Sequence, residues 1–170
     1  MEKRKLNSEI VRHIRSDKEN LVIPAIYYLR NKIQSAGYIP EVINLLYETK
    51  NDNIRRESYF FLADMKDASG IPFIIEALKN RQYQPIWHEI IATCWQSCLN
   101  FSGYLETFIE IFLEEDYLTA LESFSVIEQS IIYLEDERRE HYRNYLISNL
   151  EDIKEDKRPL AKELINIMSV

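Results

Sequence analysis

Gly37, Gly70 and Gly103 are the only glycines in the chain, and they stand 33 residues apart. A regular interval of that size marks a repeat architecture, in which no single unit can bury its own apolar faces and stability comes from stacking neighbours. Each glycine opens a similar phrase: GYIPEVINLL from Gly37, GIPFIIEAL from Gly70 and GYLETFIEIFL from Gly103. Aligned on apolar positions, Ile39, Val42, Ile43 and Leu46 match Ile71, Ile74, Ile75 and Leu78, and these match Leu105, Phe108, Ile109 and Phe112. The spacing i, i+3, i+4, i+7 places each set on one face of an amphipathic helix. A weaker fourth copy follows with Tyr142, Tyr145, Leu146 and Asn149.

Other apolar helical stretches lie between these, at about 19–34, 53–66, 84–101, 116–134 and 157–168. Three glycines and five prolines are too few for the turns of a many-stranded sheet. The expected fold is therefore all-α: a right-handed α-α superhelix, or solenoid, of about four and a half helix pairs, forming one domain over residues 1–170. Leu62 and Ile75 are predicted core residues joining one repeat to its neighbours. Gly37 and Gly70 fall where a helix end would use a left-handed residue. Pro40 and Pro72 fall in the first turn of the following helix, where a missing N–H is harmless. Pro85 and Pro159 also lie near helix starts. The Asn51-Asp52-Asn53 run and Asp116 suit N-terminal caps, whereas Pro24 lies about a turn inside its helix and predicts a later start there.

Residues 51–80, NDNIRRESYFFLADMKDASGIPFIIEALKN, carry the most specific pattern. An Asn-rich turn precedes Ile54 and Arg55, with small Ser58, then Leu62, then Ile71 and Pro72 opening a second helix. This stretch resembles a HEAT repeat, in the variant known from phycobilisome-lyase-like proteins. Leu21, Ala25 and Leu29 fit the same first helix without the arginine, and Arg158, Ala161 and Ile165 fit the last. The stretch 84–101, with Trp87, His88 and Trp95, departs most. The resemblance implies an armadillo-like superhelix whose second helices line the concave side. HEAT repeats serve many functions, so it implies architecture more than activity.

Charge is unevenly placed. Residues 1–103 carry 14 Lys and Arg against 12 Asp and Glu, while residues 104–170 carry 7 against 16. No lysine or arginine occurs between Arg81 and Arg138, an interval of 56 residues that holds eleven carboxylates. Ordinary solubility accounts for a mild excess of acids, but less well for so long an interval. A one-sign surface attracts basic partners and repels nucleic-acid phosphates. On superhelical stacking, Asn44, Glu76 and Glu110 would align in one column, and Glu48, Asn80, Glu114 and Glu151 in another. Phe73 falls beside them as an apolar anchor. The expected partner-binding residues are thus Asn44, Glu48, Phe73, Glu76, Glu110 and Glu114.

Catalytic constellations are not expected. His88-Glu89 would need a histidine at 92 for the HExxH zinc motif, and Ala92 stands there. His13, His88 and His141 lie in different repeats without paired spacing. No GxSxG elbow occurs, and three glycines cannot build a phosphate-cradling loop. Glu114-Glu115 reads as a solvated helix end. Cys94 and Cys98, at i, i+4, are too far apart for an unstrained disulfide and read as small apolar residues on a buried stripe. Tyr27-Tyr28 and Tyr59-Phe60-Phe61 wrap aromatics around their helices. Either those helices are contacted on several sides, or part of the set faces a partner.

The function expected from these features is a non-catalytic protein-interaction scaffold or adaptor. An inhibitor or immunity-type binder of a basic protein would be one concrete form. The alternative is a HEAT-like enzyme such as a DNA glycosylase, which would use a basic concave face with stacking tryptophans such as Trp87 and Trp95, or a lyase. The acidic charge argues against DNA. No cofactor, metal, nucleic acid or membrane is expected. No signal sequence is visible at the start MEKRKLNSEI, and no apolar run reaches 18 residues, so the default compartment is the cytoplasm.

Overall fold

The computed structural model describes residues 6–16, 18–32 and 34–169. Among the described residues, ten α-helices and four short 3-10 turns account for the regular structure, and no β-strand occurs. The chain falls into two compact units, Met1–Leu99 and Asn100–Val170. The first holds α1 (Ser8–Ile14), α2 (Glu19–Arg30), α3 (Ile39–Glu48), α4 (Asp52–Ala63), α5 (Ile71–Lys79) and α6 (Trp87–Ser97). The second holds α7 (Leu105–Glu114), α8 (Tyr117–Ile131), α9 (Asp136–Asn149) and α10 (Arg158–Ile167).

Helices of the first unit form two layers. In one, α2 packs on α4 and α4 on α6; in the other, α1 packs on α3 and α3 on α5. The layers are joined by α1 on α2, α3 on α4 and α5 on α6. Within this unit consecutive helices therefore pack as α1 with α2, α3 with α4 and α5 with α6, and not mainly across the turns that carry Gly37 and Gly70. Helix α1 is absent from the sequence reading, which counted about four and a half pairs. Its seven residues carry little apolar periodicity, and Asn7 starts it by accepting hydrogen bonds from the Glu9 and Ile10 amides at 2.9 and 3.3 Å.

All twelve positions of the three aligned stripes are buried, from Ile39 to Phe112. Helical periodicity is a local property, so a stripe with one face toward a core is legible without knowing the partner. Leu62 and Ile75 are also buried, as expected. Asn51 caps α4 through the Asn53 and Ile54 amides, and Asp116 caps α8 through the Thr119 amide at 2.9 Å. Pro40, Pro72 and Pro159 occupy the first turns of α3, α5 and α10.

Four local expectations need correction. The glycines are not left-handed: none has positive φ, and Gly70 sits at φ −79° closing a 3-10 turn. Its role is close approach, since a Cβ there would overlap the Met65 sulfur and lie 2.5 Å from Ile39 Cδ1. The left-handed residue is instead Cys98, at φ 57°, which ends α6 and is exposed. Only Cys94 lies on the buried stripe. Pro24 does not delay its helix, because α2 already runs from Glu19 and holds the proline in its interior. In the weak fourth copy, Tyr142 and Leu146 are buried but Tyr145 is exposed and Asn149 half-buried.

Polar bridges tie first-unit helices about one repeat apart. Asn51 and Asn53 donate to the Glu19 carboxylate at 2.8 and 3.2 Å, and Arg30 Nε donates to Asp64 at 3.0 Å. Arg30 also meets buried Glu57 at 3.1 Å. Arg55 donates to the Leu46 carbonyl at 3.2 Å and ion-pairs with Glu89. In that way α4 holds the end of α3 and the start of α6 together. This is the structural use of the arginine that stands out in the 51–80 pattern.

In the second unit α7 packs mainly on α8, while α10 packs on α8 and α9. Helix α7 is buried on more than its predicted face, with Thr107 and Ile111 also inside. Beyond α9, the Lys157 side chain is fully buried, and its ammonium donates to the Phe112, Leu113 and Glu115 carbonyls at 2.8, 2.8 and 2.9 Å. Those carbonyls belong to the end of α7, where the helix itself leaves acceptors unpaired. A positive charge there also complements the helix dipole.

Candidate functional site

The residues expected to bind a partner divide between the two units. Asn44 and Glu48 lie one turn apart on α3, on the side away from the Ile39–Leu46 stripe. They line a groove of about 830 Å³ in the first unit. Its floor is the outer face of α3, with Glu41 and Leu45 beside them. Its walls are the end of α1 at Ile14 and Arg15, the junction reaching Ile54, and Tyr83 from the 81–86 turn. Asn80 caps that turn, its side chain accepting from the Gln82 amide at 3.0 Å. The position expected to extend a binding column thus has a structural duty.

Within the groove, the Tyr83 hydroxyl lies 3.4 Å from Asn44 Oδ1, and its ring meets Tyr47 edge-on at 5.5 Å between centroids. Burial raises the Tyr83 pKa above the ordinary phenol value, and the charges of Glu48 and Glu41 raise it further. Glu41 is held by Arg15 in a two-pronged pair, at 2.8 Å from Nε and 2.6 Å from Nη2. Glu48 is exposed, and no described side chain is hydrogen-bonded or ion-paired to it. Lys50 also lines the groove. The groove can therefore accept hydrogen bonds at Glu48 and Asn44, and offers an aromatic surface at Tyr83 and apolar contact at Leu45. Phe73 and Glu76 lie on α5 outside this lining, Phe73 half-buried and Glu76 exposed.

Glu110 and Glu114 are exposed on α7 in the second unit. With exposed Glu106 they repeat every four residues, which sets three carboxylates along one side of the helix. Glu110 also borders a small cavity of about 110 Å³ with Glu106, Ile109, His141, Tyr142 and Tyr145. Glu151, the last member of the predicted column, lies in the turn after α9 and not on a helix.

Trp87 and His88, two residues weighed for catalysis, are engaged within the first unit. Trp87 is buried and donates from Nε1 to the Ala77 carbonyl at 3.3 Å, with the Arg81 guanidinium 5.1 Å from its ring. It is not placed to stack on a base. His88 Nε2 lies 3.6 Å from Glu89, whose carboxylate is already paired with Arg55. No group of three or more potential metal ligands occurs among the described residues, and no helix among them is long and apolar enough to cross a membrane.

Several exposed aromatics of the first unit carry cations. Arg30 lies 5.6 Å from both the Tyr27 and Phe60 ring centroids, and Lys32 lies 5.3 Å from Tyr28. Sequence reasoning found these aromatics but not the cations over them; the Arg30–Phe60 contact is assembled across α2 and α4, which no local spacing records. It missed Tyr83 and Glu41 as groove residues for the same reason. It also missed Lys157, which reads as one charge among several in EDIKEDKRPL.

No protein-family model matches the chain, and no curated protein is similar to it in sequence.

Proposed function

We propose that the chain is a non-catalytic protein-interaction module whose partner presents a basic surface, and that its helices form HEAT-like pairs of a right-handed superhelix. An inhibitor or immunity-type protein that covers a basic enzyme is the form that suits the charge best. The observation that carries the reading is the exposed row Glu106, Glu110 and Glu114 on α7, within a segment that has no lysine or arginine from residue 82 to 137. A field of one sign speeds encounter with a partner of the other sign and disfavours phosphate ligands. The layered packing of α1–α6, in which helices two apart in sequence are neighbours, supports the superhelical part of the reading. Glu76 on α5 and the groove along α3 add acceptors on the first unit.

The test begins with cross-linking capture from the native host, identification of the partner and its purification. Binding is then measured against the triple reversal Glu76→Lys, Glu110→Lys, Glu114→Lys. These side chains are exposed, so the variant should keep its helical circular dichroism and melting temperature. Its association rate with the partner should fall by about tenfold or more at low salt. Unchanged association by a folded variant would overturn the acidic-surface reading.

A further inference from the structure

Resting on that reading and narrowing it to one site, we propose that the groove along α3 receives a single arginine side chain from an extended partner segment, its guanidinium accepted by Glu48 and its plane laid against Tyr83. Four observations converge on this occupant.

First, the chain already binds one of its own arginines with this pair of groups. Arg30 lies against the Tyr27 and Phe60 rings while Asp64 and Glu57 take its donors. A guanidinium presents a planar fork of donors that fits a carboxylate and also stacks on an aromatic face, which an ammonium does less well. Second, Glu48 and Tyr83 border the same groove, near enough for the Glu48 charge to be felt at the phenol. Third, the two carboxylates of the groove differ. Glu41 is engaged by Arg15, while exposed Glu48 lacks a described partner. Fourth, the space of about 830 Å³ exceeds one side chain, and Asn44 can accept from further donors of the segment while half-buried Leu45 offers apolar contact.

The same lining limits the sequence of the partner. Arg15 and Lys50 border the groove, so a run of cations would meet like charge there. The site suits one arginine flanked by neutral or acidic residues, and it discriminates against polybasic segments.

The probe is N-acetyl-arginine methylamide, titrated into the full 15N-labelled chain at low salt, with the lysine and citrulline analogues as comparisons. Saturable amide shifts are expected in residues 41–50 and 81–84. Affinity should be about tenfold weaker for the lysine and citrulline analogues, and about tenfold weaker for Glu48→Gln, as the loss of a charge-assisted contact implies. Glu163→Gln, at an exposed position on α10, should bind as the wild type does. Equal affinity for the three analogues, or an unaffected Glu48→Gln variant, overturns the proposal. So does a map of shifts confined to α7, which would leave the basic-partner reading standing. Conversely, arginine binding lost in Glu48→Gln, with a partner indifferent to the triple reversal, would keep this site and remove the α7 surface.

Discussion

Lys157 and Phe112 stand 45 residues apart in sequence, yet the Lys157 ammonium donates to the Phe112 carbonyl at 2.8 Å and lies 5.8 Å from the Phe112 ring centroid. One side chain thus closes the end of α7, satisfying carbonyls that the helix cannot reach with its own amides. Lysine is rarely buried without a carboxylate beside it. Here backbone carbonyls supply the compensation.

Replacing Lys157 with methionine keeps the apolar stem but removes the donors. The variant should lose about 1–3 kcal/mol of stability, the range for orphaned buried acceptors, measured by denaturant unfolding. The pH dependence has a definite sign. Burial, with Lys154 nearby, lowers the Lys157 pKa below its ordinary value of 10.5, while Asp156, Asp116 and Glu115 oppose that shift. The folded chain therefore holds this proton less tightly than the unfolded chain. The stability contributed by Lys157 rises as pH climbs through the folded pKa toward the unfolded one. The difference between wild type and Lys157→Met should widen between neutral pH and about pH 10, and a difference that narrows would contradict the assignment.

Gly70 and Gly103 occupy equivalent places in the repeat but should respond differently to alanine. At Gly70 the added Cβ meets Met65 and Ile39, whereas at Gly103 nothing lies within 4 Å. Gly70→Ala should cost about 1–3 kcal/mol through overpacking. Neither glycine has positive φ, so Gly103→Ala carries no left-handed strain and should be neutral or stabilising by up to about 1 kcal/mol. Thermal melts of the two single variants decide it; equal effects would show that crowding is not what requires glycine at 70.

Cys98 carries the one left-handed backbone among the described non-glycine residues. That conformation costs an L-residue about 1–2 kcal/mol relative to glycine. Cys98→Gly should therefore raise stability by about 0.5–1 kcal/mol after the added unfolded-state entropy of glycine is deducted. The two thiols should also separate chemically. Burial pushes the Cys94 thiol pKa strongly upward, whereas Cys98 is exposed. A thiol reagent should label one cysteine in the native chain and both in denaturant, and rapid native labelling of Cys94 would contradict its burial.

The sequence by itself determined the helical class, the phase of each apolar stripe and several caps. Ile39, Val42, Ile43 and Leu46 declare a buried face because 3.6-residue periodicity is written into one segment, and Asn51 declares a cap because its partners are two and three residues away. Asn44 and Glu48 of the expected binding set border the α3 groove and Glu110 the small cavity beside α7, because polar positions opposite a known stripe face outward. Only the tertiary structure decided that α3 pairs with α4, that Gly70 is needed for space and not for backbone freedom, and that Tyr83 joins Asn44 across 39 residues of chain. Those outcomes depend on which helices stack and how closely. Stacking is set by the summed shape of many side chains from distant segments, and no local spacing records it.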